Sequence, residues 1–154
     1  MHVEKVVPFG GGLGGGSANG STTLWAANQV FEKPVEEEEL LEWSADIGSD
    51  CPVFFSRGAA YVTGRGENVE DVPPPLPLDT NLFLIKPEVG LSTPEIFKAL
   101  ALPLGGDGVQ GEDPRELMRR LSSEGAMPRN VVNDLERPAF DRLPELATLK
   151  ERLG

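Results

Sequence analysis

Two stretches of this chain carry residue types suited to chemistry on anions. The first is Pro8-Phe9-Gly10-Gly11-Gly12-Leu13-Gly14-Gly15-Gly16-Ser17-Ala18-Asn19. Glycine at this density lets backbone N–H groups approach an oxyanion without Cβ interference. A helix beginning there adds unsatisfied donors and the positive end of its dipole. The segment reads as a phosphate cradle with a nucleoside triphosphate as its guest. Ser17 has two readings: the cap of the following helix, or a hydroxyl ligand for phosphate and a divalent cation. The second stretch is Gly48-Ser49-Asp50-Cys51-Pro52. Asp50 fits the N-cap of a short apolar helix, the commoner use of such a residue, or a reaction-centre carboxylate. Cys51 reads as a buried thiol rather than a reactive one.

Several glycine-loop patterns fail on what surrounds them. Gly16-Ser17 has no lysine between its members, which removes the strand-loop-helix NTPases. Gly10, Gly12 and Gly15 trace a dinucleotide fingerprint, but a helix, Pro34 and a second helical run follow where a βαβ unit requires a strand. A flexible linker fits poorly as well, because Leu13 sits inside the loop and Leu24, Trp25, Val30 and Phe31 follow it.

The elements that must position these residues form an α+β pattern in two unequal parts. Val3 to Val7 is a short strand candidate and Ser17 to Phe31 a helix. Glu36 to Ile47 is a second helix with Leu40, Leu41 and Trp43 as its apolar side, and its opening glutamates sit where the dipole favours them. Gly48 ends it. Ala59 to Thr63 and Asn81 to Lys86 read as strands, separated by the proline-dense Asp71 to Pro77, the best domain boundary in the chain. Helices are expected at Thr93 to Leu100, Pro114 to Glu124, Val131 to Phe140 and Pro144 to Leu153, with a polar glycine loop over Gly105 to Glu112.

The loop resembles the second motif of the GHMP small-molecule kinases: a proline, Gly-Leu-Gly, and a serine at a helix start. Four further stretches fit the family in the same order. They are Ile47 to Phe55, Gly58 to Glu67, Lys86-Pro87 with Ser92-Thr93-Pro94, and Asn133-Asp134-Leu135-Glu136. Wording around Glu42-Trp43-Ser44 and Phe55-Ser56-Arg57 is similar to plastid members, which implies the stroma, or the cytoplasm if that likeness fails.

The resemblance implies a two-part architecture, with residues 1–72 from the ATP-binding domain and 78–154 from the C-terminal domain. It implies transfer of the ATP γ-phosphate to a small-molecule alcohol with Mg²⁺. Lys5, Pro8, Gly10, Gly11, Gly12, Leu13, Gly14, Gly15, Gly16, Ser17 and Asn19 would hold the nucleotide, Ser17 would also meet the metal, and Asp50 would face the acceptor hydroxyl as base or orienting group. Ser92 and Thr93 are helix-capping by composition, and the resemblance sets them near the cleft. Lys5 also reads as a solvated strand-end lysine. Rival readings are a kinase for another small alcohol, such as mevalonate or homoserine, and a nucleotide-binding chain without catalysis.

The chain departs from the family at Ser17-Ala18-Asn19-Gly20-Ser21, where Ser-Ser-Asn-Ala-Ala is common. An N-terminal strand segment with a lysine beside the substrate and a third glycine-rich motif do not occur in these 154 residues. The expectation is a central portion of an enzyme, incomplete at both ends and weakly active by itself.

Composition narrows the partners. The net charge of −11, with no clustered Lys/Arg stripe, argues against nucleic acid and anionic membrane. An anionic substrate would depend on loop amides, a divalent cation and cations such as Lys5, Arg57 and Arg65. One cysteine excludes an internal disulfide framework, and one histidine leaves no material for a Cys-His pair. Asn19-Gly20-Ser21 matches a glycosylation sequon but lies in the phosphate loop and is discounted.

Overall fold

The computed structural model describes residues 2–4, 6, 12–77, 79–100 and 112–153. Lys5, Pro8, Gly10, Gly11 and most of the expected Gly105 to Glu112 loop lie outside them. Contacts divide the chain into two compact units, Met1–Pro74 and Pro75–Gly154. The division falls within the proline run 73–77.

The first unit holds α1 (Gly15–Val30), α2 (Glu37–Ile47), a 3-10 turn (Pro52–Phe55) and the hairpin β1 (Ala60–Thr63) to β2 (Asn68–Asp71). Helix α1 begins two residues before Ser17. Its N-cap is Gly14, held at φ 64° and ψ 10°, a left-handed conformation that glycine adopts without a Cβ penalty. The buried residues of α1 are polar, Ser21 and Asn28, seven apart and so on one face. Trp25, Val30 and Phe31 are exposed.

Asn28 closes the end of α1. Its amide Nδ2 donates to the Val35 carbonyl at 2.9 Å, and its Oδ1 accepts the Val35 N–H at 3.3 Å. That clamp holds the turn in which Glu32 and Lys33 take φ of 61° and 58°.

In α2 the inward pair is Leu40 and Ser44, at i and i+4, and Trp43 is turned out at 44% exposure. The sequence pattern had placed Trp43 on the apolar side. A serine takes the inward place because its Oγ donates to the Leu41 carbonyl at 2.6 Å, which satisfies the buried hydroxyl without an outside partner. Glu37, Glu38 and Glu39 occupy the first turn, where the dipole stabilises them. Helices α1 and α2 pack on each other and on the 3-10 turn. The hairpin is antiparallel, pairing Ala60 with Asp71 and Thr63 with Asn68; the family resemblance of the stretch Gly58 to Glu67 implies a hairpin here, and its second strand lies just beyond that stretch.

The second unit holds α3 (Thr93–Leu100), α4 (Pro114–Glu124), a 3-10 turn (Pro128–Asn130), α5 (Glu136–Arg142) and α6 (Glu145–Leu153). Helix α4 starts as composition dictates, with Asp113 accepting the Arg115 N–H at 2.9 Å and Pro114 at the first helical position. Buried Asn130 ties its end by donating to the Glu124 carboxylate at 3.0 Å and the Gly125 carbonyl at 3.2 Å. The Asn130 amide and the Arg129 guanidinium hold the Glu124 carboxyl below the usual carboxylate range. Helix α3 packs on α5, and α5 on α6. The helix expected from Val131 begins only at Glu136, because Asn133 Oδ1 accepts the Leu135 N–H at 3.1 Å and fixes a local turn that competes with helix.

Two expected strands are not found among the described residues. Among the described residues 2–4 and 6 there is no strand. Asn81 to Lys86 runs without a ladder partner among the described residues, leaving Leu82, Phe83, Leu84 and Ile85 exposed. The apolar run has strand composition, but a strand exists only where another supplies its hydrogen bonds.

Candidate phosphate loop and reaction-centre carboxylate

Gly12 and Gly14 take φ of +67° and +64°, and Leu13 between them does not have a positive φ. Alternation of left- and right-handed backbone is the pattern on which anion-binding concavities are built. The first helical hydrogen bond runs from Ala18 N–H to the Gly14 carbonyl at 2.8 Å. The N–H groups of Gly15, Gly16 and Ser17 precede it and have no i−4 acceptor within α1. Among the described residues, chain neighbours and own-helix backbone aside, a Cβ at Gly12 or Gly16 would meet no atom within 4 Å. Leu13 is 39% exposed beside them. Ser17 is the third residue of α1 and half-buried, so it is not the cap; Gly14 is. Asn19 lies inside the helix, half-buried.

Asp50 is exposed in the turn that joins α2 to the 3-10 turn. It is not a cap either: Cys51 occupies that position, and no side chain caps the turn. Among the described residues the Asp50 carboxylate has no hydrogen-bond partner. Cys51 is buried.

The turn is fixed along the first part of α1. Ser21 Oγ donates to the Cys51 carbonyl at 2.8 Å and shares its proton with the Ser17 carbonyl at 3.0 Å. A Cβ on Gly20 would stand 3.3 Å from Ile47 Cγ2 and 3.7 Å from Cys51 Sγ, and one on Gly14 would stand 3.1 Å from Phe54 Cζ. The glycine loop, Ser17 and the Asp50 turn thus belong to one packed body. Ser92 and Thr93 open α3 in the second unit, where the Ser92 carbonyl accepts the Ile96 N–H at 3.0 Å.

A cleft of about 320 Å³ adjoins this body. Trp25, Phe54 and Phe55 give it aromatic walls, and Ser21, Thr22, Glu37, Ser56 and Arg57 its polar edges. Arg57 pairs with Asp71, whose Oδ1 accepts the Arg57 N–H at 3.0 Å and whose Oδ2 lies 3.7 Å from Nε. In the second unit a cavity of about 800 Å³ is lined by Ala99, Leu100 and residues of the 133–141 stretch, Asn133, Glu136, Arg137 and Phe140 among them. The described residues contain no cluster of three or more His, Cys, Asp or Glu placed for a metal, and no helix long and apolar enough to cross a membrane.

Sequence reasoning missed Ser21, Phe54 and Gly66 as members of this body. Only Gly66 carried a signal, as the second glycine of Gly64-Arg65-Gly66-Glu67.

This loop geometry stands in a stretch with known counterparts. Residues 1–58 match the GHMP kinases N terminal domain. The family resemblance of the glycine loop is borne out there, and relatives extend it over the rest of the chain. A protein of Solanum lycopersicum named 4-diphosphocytidyl-2-C-methyl-D-erythritol kinase, chloroplastic/chromoplastic, is 51% identical over 99% of this chain and 37% of its own length. The chloroplastic kinase of that name from Arabidopsis thaliana is 51% identical over 99% of this chain and 39% of its own. One from Protochlamydia amoebophila is 42% identical over 99% of this chain and 49% of its own. The chain spans less than half the length of each of these curated relatives.

Proposed function

We propose that this chain contributes the phosphate loop and reaction-centre carboxylate of a GHMP-type kinase. The enzyme transfers the γ-phosphate of ATP to the 2-hydroxyl of 4-diphosphocytidyl-2-C-methyl-D-erythritol, in non-mevalonate isoprenoid synthesis within the plastid. The observation that carries the reading is the joining of the α1 N-terminus to the Asp50 turn through Ser21 and Cys51, in a chain about half identical to plant kinases of that name.

Phosphoryl transfer asks the protein for positioning and charge stabilisation more than for covalent chemistry. The N–H groups of Gly15, Gly16 and Ser17 hold the phosphate oxygens at the positive end of α1. Asp50, exposed and unpaired among the described residues, orients the acceptor hydroxyl and takes its proton. Ser17 would hold Mg²⁺, a fit consistent with a metal that keeps most of its coordination for water and substrate phosphate. A metal held there would supply charge neutralisation on the terminal phosphates. Residues 1–72 then belong to the ATP-binding domain and 78–154 to the C-terminal domain, where Ser92 and Thr93 open α3.

The test is acceptor choice. ADP release by the protein at the full length of its relatives is measured with the cytidyl acceptor, mevalonate and homoserine in turn. The expected result is a kcat/KM for the cytidyl acceptor at least about 10³-fold above either rival, as loss of hydrogen bonds to polar substrate groups implies. Preference for mevalonate or homoserine would transfer the chain to another small-alcohol kinase.

A further inference from the structure

The β1–β2 hairpin reaches the Asp50 turn at one point. Its tip runs through Gly64, Arg65, Gly66 and Glu67, between the paired Thr63 and Asn68. Gly66 takes φ +130°, and a Cβ there would stand 1.9 Å from the Ser49 carbonyl oxygen and 2.8 Å from its carbon. The atoms that such a Cβ would meet belong to the Ser49 backbone, so no rotamer change could relieve a side chain. The tip is closed on itself: the Gly66 N–H donates to the Thr63 carbonyl at 3.3 Å, and the Arg65 N–H to the Glu67 carboxylate.

The far side of the turn is fixed. Ser21 Oγ holds the Cys51 carbonyl, the Cys51 N–H donates to the Gly48 carbonyl at 2.9 Å, and the Gly48 N–H to Ser44 at 3.2 Å. Cys51 itself is 1% exposed. With residues 48 and 51 pinned, a push on Ser49 is taken up by Asp50.

We propose that Gly66 is a positioning residue for Asp50: its missing side chain lets the hairpin tip seat against Ser49 and set where the carboxylate stands. The inference rests on the reading of Asp50 as the reaction-centre carboxylate. Gly64 supplies the control, because it lies in the same tip with φ +73°, and the three atoms nearest to a Cβ there belong to the carboxylate of Glu67, the end of a flexible side chain, and not to backbone.

The experiment compares steady-state kinetics and ATP affinity in the protein at the full length of its relatives. Gly66→Ala is expected to lower kcat by about 10–100-fold, the cost of misplacing a reacting group by about 1 Å, with ATP affinity unchanged within about two-fold. Gly64→Ala should keep kcat within about two-fold of wild type. Adding Gly66→Ala to Asp50→Asn should produce no further loss, since the group it positions is gone. Equal kcat losses in the two glycine variants, or a full Gly66→Ala loss on top of Asp50→Asn, would overturn the positioning role. An Asp50→Asn protein that turns over normally would sink the Asp50 reading and this inference with it. An inactive Asp50→Asn beside a fully active Gly66→Ala would sink this inference alone. If Gly66→Ala does not accumulate, residues 64–67 are replaced by Asn-Gly, which closes Thr63 on Asn68 in a two-residue turn and withdraws the tip without a clash. The same kcat loss is expected there, and wild-type kcat would contradict the proposal.

Discussion

Asp50→Asn, made in the protein at the full length of its relatives, is expected to leave ATP affinity within about two-fold and to lower kcat by about 10²–10⁴, the range for losing a positioned acid-base group. Asparagine keeps the shape of the side chain and removes its charge and proton affinity. The structure makes this substitution informative. Asp50 is exposed and is not the cap of the following 3-10 turn, so no capping bond is lost and the denaturation midpoint should not move. Steady-state kinetics beside isothermal calorimetry with ATP measure both effects. Turnover within a factor of a few of wild type would show that the carboxylate has no part in the chemistry.

The second large effect is expected at Gly16. Among the described residues, apart from its chain neighbours and the backbone of its own helix, a Cβ there meets no atom within 4 Å, so valine is accommodated. It crowds the first turn of α1, where phosphate oxygens approach the N–H groups of Gly15, Gly16 and Ser17. Each charge-assisted hydrogen bond lost is worth about 1.5–3 kcal/mol, so Gly16→Val should weaken ATP binding by about 10–100-fold or more. Gly14→Val would be a poorer probe, because Gly14 has a positive φ and touches Phe54. Unchanged ATP affinity by calorimetry in folded Gly16→Val protein would remove this loop as the nucleotide site.

What the sequence revealed and what it hid divide along physical lines. Helices whose ends are set locally were legible: α3 and α4 have the expected limits, and α4 carries its Asp-Pro start and its closing glycine in plain view. The glycine loop was legible as well, since positive φ at residues 12 and 14 is what glycine permits. Features that depend on distant partners were not. The apolar run 82–85 has the residues of a strand and no ladder among the described residues. The buried face of α1 is polar: Trp25, an argument against a linker in the sequence, is half exposed, whereas Ser21 is buried on Cys51. The contact of Gly66 with Ser49 joins residues seventeen positions apart and has no periodic signature. Cap chemistry misled at Ser17 and Asp50, because glycine and cysteine hold the cap positions through backbone geometry alone.

The most direct measurement of the central claim follows the γ-phosphate itself. The protein at the full length of its relatives is mixed in excess over ATP labelled at that phosphate, together with the cytidyl-linked acceptor, and the label is traced over a single turnover. The label is expected to leave ATP and appear on the acceptor's 2-hydroxyl, in wild type and not in Asp50→Asn. Label that stays in ATP, or emerges only as inorganic phosphate, would contradict it.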